Sequence, residues 1–338
     1  MPELPDVLLY VEHLDRLLTG RPLANVRILG ASVLQTWDPP VSSLNGRRVE
    51  GISRIGKRLV WHLDGDVHLV IHPMIAGRFH LRKAGAAFPR KNTLAVFDLA
   101  ADPAAAPAAD PAAEPAGSPP AHARSDARLL LTEASTKKRA TMHLVSGRTA
   151  LEAFHAGGID PMSATDEAFA SSLRQENHTL KRSLTDPRLF DGIGNAYSDE
   201  ILHRARLSPM RLTRRLTDDE IARLTQSTRE TIRIWIDRLR KKAGDRFPEK
   251  VTAFHPEMAV HGRFRRPCPD CGAPVQRIAY AENECNYCAV CQNAGRLLAD
   301  RALSRLLRAD WPRTVEELEA LRVTGGAQGK VSTARKRS

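Results

Sequence analysis

The sequence predicts an α+β protein of several domains. Short strand-like segments separated by turn residues fill residues 24–99 and resume at 127–146. From about residue 150 the apolar spacing changes to a helical period. A late cysteine module, Cys268-Pro-Asp-Cys271 and Cys288-Ala-Val-Cys291, has paired metal-ligand spacing. The 338 residues suffice for two or three domains, and a 42% hydrophobic share supports a sizeable core.

Residues 7–20, VLLYVEHLDRLLTG, read as one helix carrying Val7, Val11, Leu14 and Leu18, with Gly20 as its stop. Strands follow in VRIL, VEGISRI, RLVWHL, VHLVIH and TLAVFDL, divided by turns such as Asn45-Gly46 and Asp64-Gly65. Residues 100–127 are almost entirely Ala, Pro, Asp and Gly, with nothing to bury, and are expected to be a disordered insertion. Strand patterns resume at ARLLLTE and TMHLVSG, so the insertion interrupts one β domain; a linker between two domains is the rival reading. Thr217 and Glu220 have capping-box spacing and open a long amphipathic helix with Ile221, Leu224, Ile232, Trp235 and Leu239. NAGRLLADRALSRLLRADW and TVEELEALR add helical character. The expected division is 1–150 β domain, 151–255 helical domain, 256–292 ribbon, 293–324 helical extension and 325–338 basic tail.

A net charge of +12 points to a polyanionic partner, most often nucleic acid, with a basic surface kept for solubility as the bland alternative. No apolar run approaches the roughly 18 residues of a membrane span, and no signal-peptide pattern is present. A cytoplasmic, monomeric protein is expected. All five cysteines lie between 268 and 291, an intracellular metal pattern rather than a disulfide framework. The CxxC-x16-CxxC spacing lets four thiolates close a tetrahedral structural Zn²⁺ site, leaving Cys285 as a spare. Arg263, Arg265, Arg266 and Arg277 make the ribbon basic and a candidate DNA contact; a solvated face is the alternative.

Two further motifs carry chemistry. The chain opens MPELPDV, and removal of Met1 would leave Pro2 as a free secondary amine beside Glu3. Such an amine is a nucleophile, and a neighbouring carboxyl moves protons for it. DPRLFDGIGNAYSDEIL sets Gly192 and Gly194 just before a new helix at Asn195; glycines let backbone approach a ligand, and a helix start favours phosphate.

With these three motifs in this order, the sequence resembles the formamidopyrimidine-DNA glycosylase/endonuclease VIII family over most of its length, apart from the insertion and the tail. The resemblance implies an N-terminal β-sandwich, a helix-two-turn-helix domain and a C-terminal zinc ribbon. It implies a bifunctional glycosylase that removes damaged bases and cleaves the abasic site, binding damaged DNA in a cationic cleft. Pro2 matches the family's nucleophile, Glu3 its catalytic acid and Lys57 its β-domain lysine; Lys181 and Asn195 match phosphate-holding residues. The sequence departs from the family in three places. The ribbon-tip arginine is replaced by Asn283, and the void-filling methionine aligns with Ile75, beside Met74. The stretch that carries an arginine and an aromatic wedge reads STKKRAT, with Lys137, Lys138 and Arg139 keeping charge alone. These departures raise a second reading, a non-catalytic relative that recognises damaged or branched DNA. A zinc-ribbon factor of transcription or translation would explain the charge and the cysteines but not PELPDV.

Overall fold

The structure, a computed structural model, describes residues 1–101, 126–279, 284–298, 312–318 and 320. The expected insertion, Asn283, most of the expected C-terminal helical extension and the tail lie outside the described residues. The chain divides into two compact units: Met1–Asp160 with Phe190–Gly192 and Ile232–Ala253, and Pro161–Leu189 with Ile193–Thr231 and Phe254–Ser338.

The first unit begins with α1, Leu4–Leu18. It starts three residues before the expected point. Pro5 is tolerated in a first helical turn, where its missing N–H costs nothing. The Glu3 N–H donates to Asp6 Oδ2 at 2.9 Å, one half of a capping box. Among the described residues eight strands follow: β1 Leu23–Ile28, β2 Val49–Ile55, β3 Arg58–Leu63, β4 Val67–His72, β5 Gly77–Lys83, β6 Thr93–Leu99, β7 Ala127–Glu133 and β8 Thr141–Ser146. They form two four-stranded antiparallel sheets, β1-β6-β7-β5 and β2-β3-β4-β8. β6 and β7 are paired to each other across the two ends of the insertion, from Leu99 opposite Ala127 to Thr93 opposite Thr132. The strands on the two sides of the insertion thus lie next to each other in one sheet.

Alternating side chains of both sheets fill a common core: Leu59, Trp61 and Leu69 from one, Phe79, Phe97 and Leu131 from the other. Trp61 packs at a tilt against Phe97 with ring centroids 4.7 Å apart, and Tyr10 of α1 meets Phe79 edge-on at 5.4 Å. β5 was not expected from the sequence. Its outward Arg78, His80 and Arg82 alternate with Phe79 and Leu81, as befits an edge strand. Glu249 caps that edge, accepting from Leu81 N–H at 3.2 Å and pairing with His80 at 2.9 Å and with Arg82.

Helices follow as α2 Arg148–Glu152, α3 Asp166–Arg174, α4 Leu180–Thr185, α5 Asn195–Arg204 and α6 Asp218–Ala243. The expected capping box opens α6: Thr217 N–H donates to Glu220 Oε2 at 3.0 Å, and Glu220 N–H to Thr217 Oγ1 at 3.2 Å. A hairpin of β9 Gln276–Ala279 and β10 Glu284–Tyr287, then α7 Ala289–Asn293, form the cysteine module. Among the described residues no helix is long and apolar enough to cross a membrane.

Candidate active site

The first unit gathers its reactive groups at the start of α1. Pro2 and Glu3 are both buried. Leu4 N–H donates to the Gly192 carbonyl at 2.9 Å, pinning the first turn to the GIG segment. Gly192 has φ +84°, and a Cβ there would stand 3.1 Å from the Leu4 side chain. This glycine allows close approach to the N-terminal helix. The preceding residue, Asp191, holds the β2–β3 turn. Its Oδ2 accepts from Gly56 N–H at 3.1 Å and from Arg54 at 2.7 Å, and Arg54 also pairs with Asp160. That turn carries Lys57.

Lys57, Arg78, Glu3 and Asp6 all act on the chain's α-amino group, here that of Met1. Burial lowers its pKa below the ordinary 8.0; Glu3 and Asp6 oppose this, and Arg78 and Lys57 add to it. A buried amine beside cations spends more time neutral, which is the nucleophilic form.

Sequence reasoning missed two neighbours. His72 ends β4, and its Nδ1 accepts from Met74 N–H at 3.0 Å, so in the neutral ring Nε2 carries the proton. Burial, with Arg58 and Lys57 beside it, pushes its pKa down to about 4. It is a neutral donor at physiological pH. Arg78 sits one residue past the turn and donates to the carbonyls of Ile75 at 3.1 Å and Gly77 at 2.6 Å. The signal for both was positional: they bracket Pro73–Gly77, the loop that carries Ile75.

That loop is tightly wound. Gly77 N–H donates to the Pro73 carbonyl at 2.8 Å, and a Cβ on Gly77 would stand 2.2 Å from the same oxygen. Ile75 is displayed at its tip, 53% exposed. The STKKRAT loop is ordered by Glu133, which is 1% exposed and accepts from Ser135 Oγ at 3.0 Å, Arg139 N–H at 2.9 Å and Ala140 N–H at 3.1 Å. Lys138 turns back onto the Glu133 carbonyl, whereas Arg139 is exposed.

In the second unit, Lys181 and Asn195 come together at the α4–α5 junction. Lys181 Nζ donates to the Asn195 carbonyl at 2.5 Å and to Asp199 Oδ1 at 2.6 Å, and Lys181 is only 8% exposed. Asp199 is the hub. Its Oδ2 accepts from His261 Nδ1–H at 2.8 Å and Asn286 N–H at 3.0 Å. Burial alone would raise its pKa, but Lys181 and His261 outweigh it and hold the carboxyl below its ordinary value. Glu200 beside it accepts three backbone N–H groups, from Ala259, Val260 and His261, at 2.7–3.0 Å. The Asp-Glu pair of the GIGNAYSDEIL motif therefore ties α5 to the segment leading into the ribbon.

The four ribbon cysteines bring their sulfurs within 4.8 Å of one another. Cys271 and Cys288 are 3.4 Å apart, and Cys268 and Cys291 3.9 Å. Four sulfurs on tetrahedral bonds of about 2.3 Å stand about 3.8 Å apart, so this donor set fits Zn²⁺. His203 Nε2 lies 3.2 Å from Cys268 Sγ, and Gln292 bridges Cys288 N–H at 2.8 Å and the Leu207 carbonyl at 3.0 Å. Cys285 is fully buried among Ile278, Tyr287 and Val315, outside the cluster, and burial raises its thiol pKa. Arg277 and Arg265 stack on Phe264 at 4.6 and 5.0 Å.

The formamidopyrimidine-DNA glycosylase N-terminal domain matches residues 1–111, and the H2TH domain of the same family matches residues 158–243. The formamidopyrimidine-DNA glycosylase of Desulforamulus reducens is 30% identical over 311 residues, covering 87% of this chain and 100% of the relative. That of Thermus thermophilus is 31% identical over 300 residues, with the same coverage. Lactococcus lactis Fpg, solved in complex with DNA containing an abasic site, shares the fold with a TM-score of 0.70 at 24% identity, over 86% of this chain and 99% of that one.

Proposed function

The chain belongs to the formamidopyrimidine-DNA glycosylase family, and on that premise we propose that it is a bifunctional DNA glycosylase and abasic-site lyase of base excision repair. The observation that carries this reading is the burial of Pro2 and Glu3 side by side at the start of α1, whose first turn is held by Leu4 N–H on the Gly192 carbonyl at 2.9 Å. Removal of Met1 makes Pro2 the amine, one residue deeper.

The nitrogen lone pair of Pro2 attacks C1′ of a damaged nucleotide, and the C1′–base bond breaks with the electron pair leaving on the base, which takes up a proton as the Pro2 nitrogen gives up its own. Glu3 protonates the ring oxygen as the sugar opens, giving an iminium between Pro2 and C1′. The iminium acidifies the C2′ hydrogen. A base removes that proton, the C2′–C3′ double bond forms, and the 3′ phosphate leaves. The target must first leave the duplex, because C1′ and the base are shielded inside an intact stack. Lys57 and neutral His72 serve as donors to the sugar and its phosphate. Lys181 and Asn195 hold backbone phosphates, together with Arg139 and Arg277, and Ile75 enters the gap left by the extruded base. These phosphate contacts orient the protein without reading sequence.

Cys268, Cys271, Cys288 and Cys291 hold one structural Zn²⁺, which supplies folding energy to the ribbon; no chemical step runs through it. The test is a panel of oligonucleotides, each with one defined lesion or a bare abasic site, in single- and double-stranded form. Base release and strand nicking on at least one member are expected. Binding with no excision and no nicking on any member would leave the non-catalytic DNA-binding relative.

A further inference from the structure

Four thiolates around one Zn²⁺ carry a double negative charge, and the ribbon buries much of it: Cys268 is 2% exposed and Cys288 is fully buried. Charge held away from water needs N–H groups pointing at the sulfurs. The turns of the module supply two from their own backbone. Cys271 Sγ accepts from the Ala273 N–H, and Cys288 Sγ from the Cys291 N–H at 3.4 Å.

Cys268 Sγ is met by a side chain 65 residues away in sequence. His203 lies in the last turn of α5, 4% exposed, and its Nε2 stands 3.2 Å from that sulfur. A metal-bound thiolate has no proton and only accepts, so Nε2 carries the hydrogen whatever the state of Nδ1. Asp270 Oδ2, at 3.9 Å from the same nitrogen, is too far to take that hydrogen. His203 is not what attaches the module to this part of the unit. Gln292 does that separately, through the Cys288 N–H and the Leu207 carbonyl.

We propose that His203 is a positioning residue of the zinc centre, its Nε2–H donating to the Cys268 thiolate, holding that sulfur towards the metal and drawing charge off it. Removing an outer hydrogen bond of this kind costs about 10–100-fold in metal affinity. It also leaves the thiolate with its full charge, the form that electrophiles and oxidants attack. The helix that begins at Asn195 therefore ends on the metal centre, and its buried histidine sets how firmly the metal is kept. The proposal rests on the zinc reading of the four cysteines.

The experiment uses full-length protein purified with zinc, and its zinc content is measured first. A wild type without zinc would end the reading of the four cysteines, and the His203 assignment with it; the other outcomes concern His203 alone. Competition with a chromophoric chelator then compares the wild type with His203→Leu, which removes the donor, and His203→Gln, whose amide N–H can replace it. Zinc should be held about 10–100-fold more weakly in His203→Leu and be largely restored in His203→Gln. With Co(II) in place of zinc, the thiolate-to-metal charge-transfer band should move to longer wavelength in His203→Leu alone, because a sulfur without its hydrogen bond gives up an electron more easily. If His203→Leu does not fold, NMR of the zinc-loaded wild type with isotope-labelled histidine decides: Nε2 should carry a hydrogen that exchanges slowly with water. An unprotonated Nε2, an unchanged zinc affinity or band in His203→Leu, or equal losses in the two variants would overturn the proposal.

Discussion

Asp199→Asn isolates the hub that joins α4, α5 and the ribbon. The carboxylate is fully buried and accepts from Lys181, His261 and the Asn286 backbone. An asparagine offers one acceptor oxygen, and its NH₂ must face one of these donors. The Lys181 ammonium is left buried without its counter-charge. Breaking a buried ion pair from one side costs about 3–5 kcal/mol. At about 2–4 °C per kcal/mol for a unit of this size, the thermal midpoint should fall by roughly 6–20 °C. The assay is thermal unfolding of the zinc-loaded full chain, repeated for Lys181→Met and the double variant. If the hub is a coupled pair, the double variant should be clearly less damaged than the sum of the singles. A loss below about 1 kcal/mol in Asp199→Asn, or single effects that add within about 0.5 kcal/mol, would refute the coupling.

Gly77→Ala should cost about 2 kcal/mol or more, because its Cβ would overlap the Pro73 carbonyl at 2.2 Å; differential scanning calorimetry reads the loss. Cys288→Ser should lose zinc whereas Cys285→Ser keeps it, and metal analysis of the two purified variants decides. Acid should destabilise the first unit through His13 and His72, each held near a pKa of about 4 in the folded state against an unfolded value of about 6.5. Their folded pKa values are depressed, so the unfolded chain takes up protons first. Stability is intact above pH 6.5, falls between pH 6.5 and 4, and levels off below; His72→Gln should flatten that slope in chemical denaturation followed against pH.

The strands that alternate cleanly, the Thr217–Glu220 cap and the cysteine spacing were legible because each is a local pattern with one structural solution. α1 was legible except for its start, where Pro5 disguised a helix that Glu3 and Asp6 cap. β5 was passed over because its charged outward face hides Phe79 and Leu81, and its edge is closed by Glu249, about 170 residues away in sequence. The candidate active site divides the same way. Pro2 and Glu3 announce themselves by position at the terminus. His72 does not, because its pKa depends on Arg58, Lys57 and burial, which only the fold brings together. Nor could the sequence say that Gly192 serves Leu4, that Asp199 holds Lys181, or that Lys138 bonds back to its own loop.

The central claim is that the N-terminal amine is the nucleophile. Two forms of the protein separate it from the alternatives: one with Pro2 free, and one with extra residues fused ahead of Pro2, which turns the amine into an amide with no available lone pair. Each is mixed with DNA carrying an abasic site in the presence of borohydride, which reduces an iminium to a stable amine. DNA affinity is measured in parallel and should be equal, since phosphate contacts dominate it. The account predicts a covalent protein–DNA adduct and strand cleavage with the free form, and neither with the extended form. Equal trapping by both would make a lysine the nucleophile, with Lys57 the first candidate, and would contradict the account.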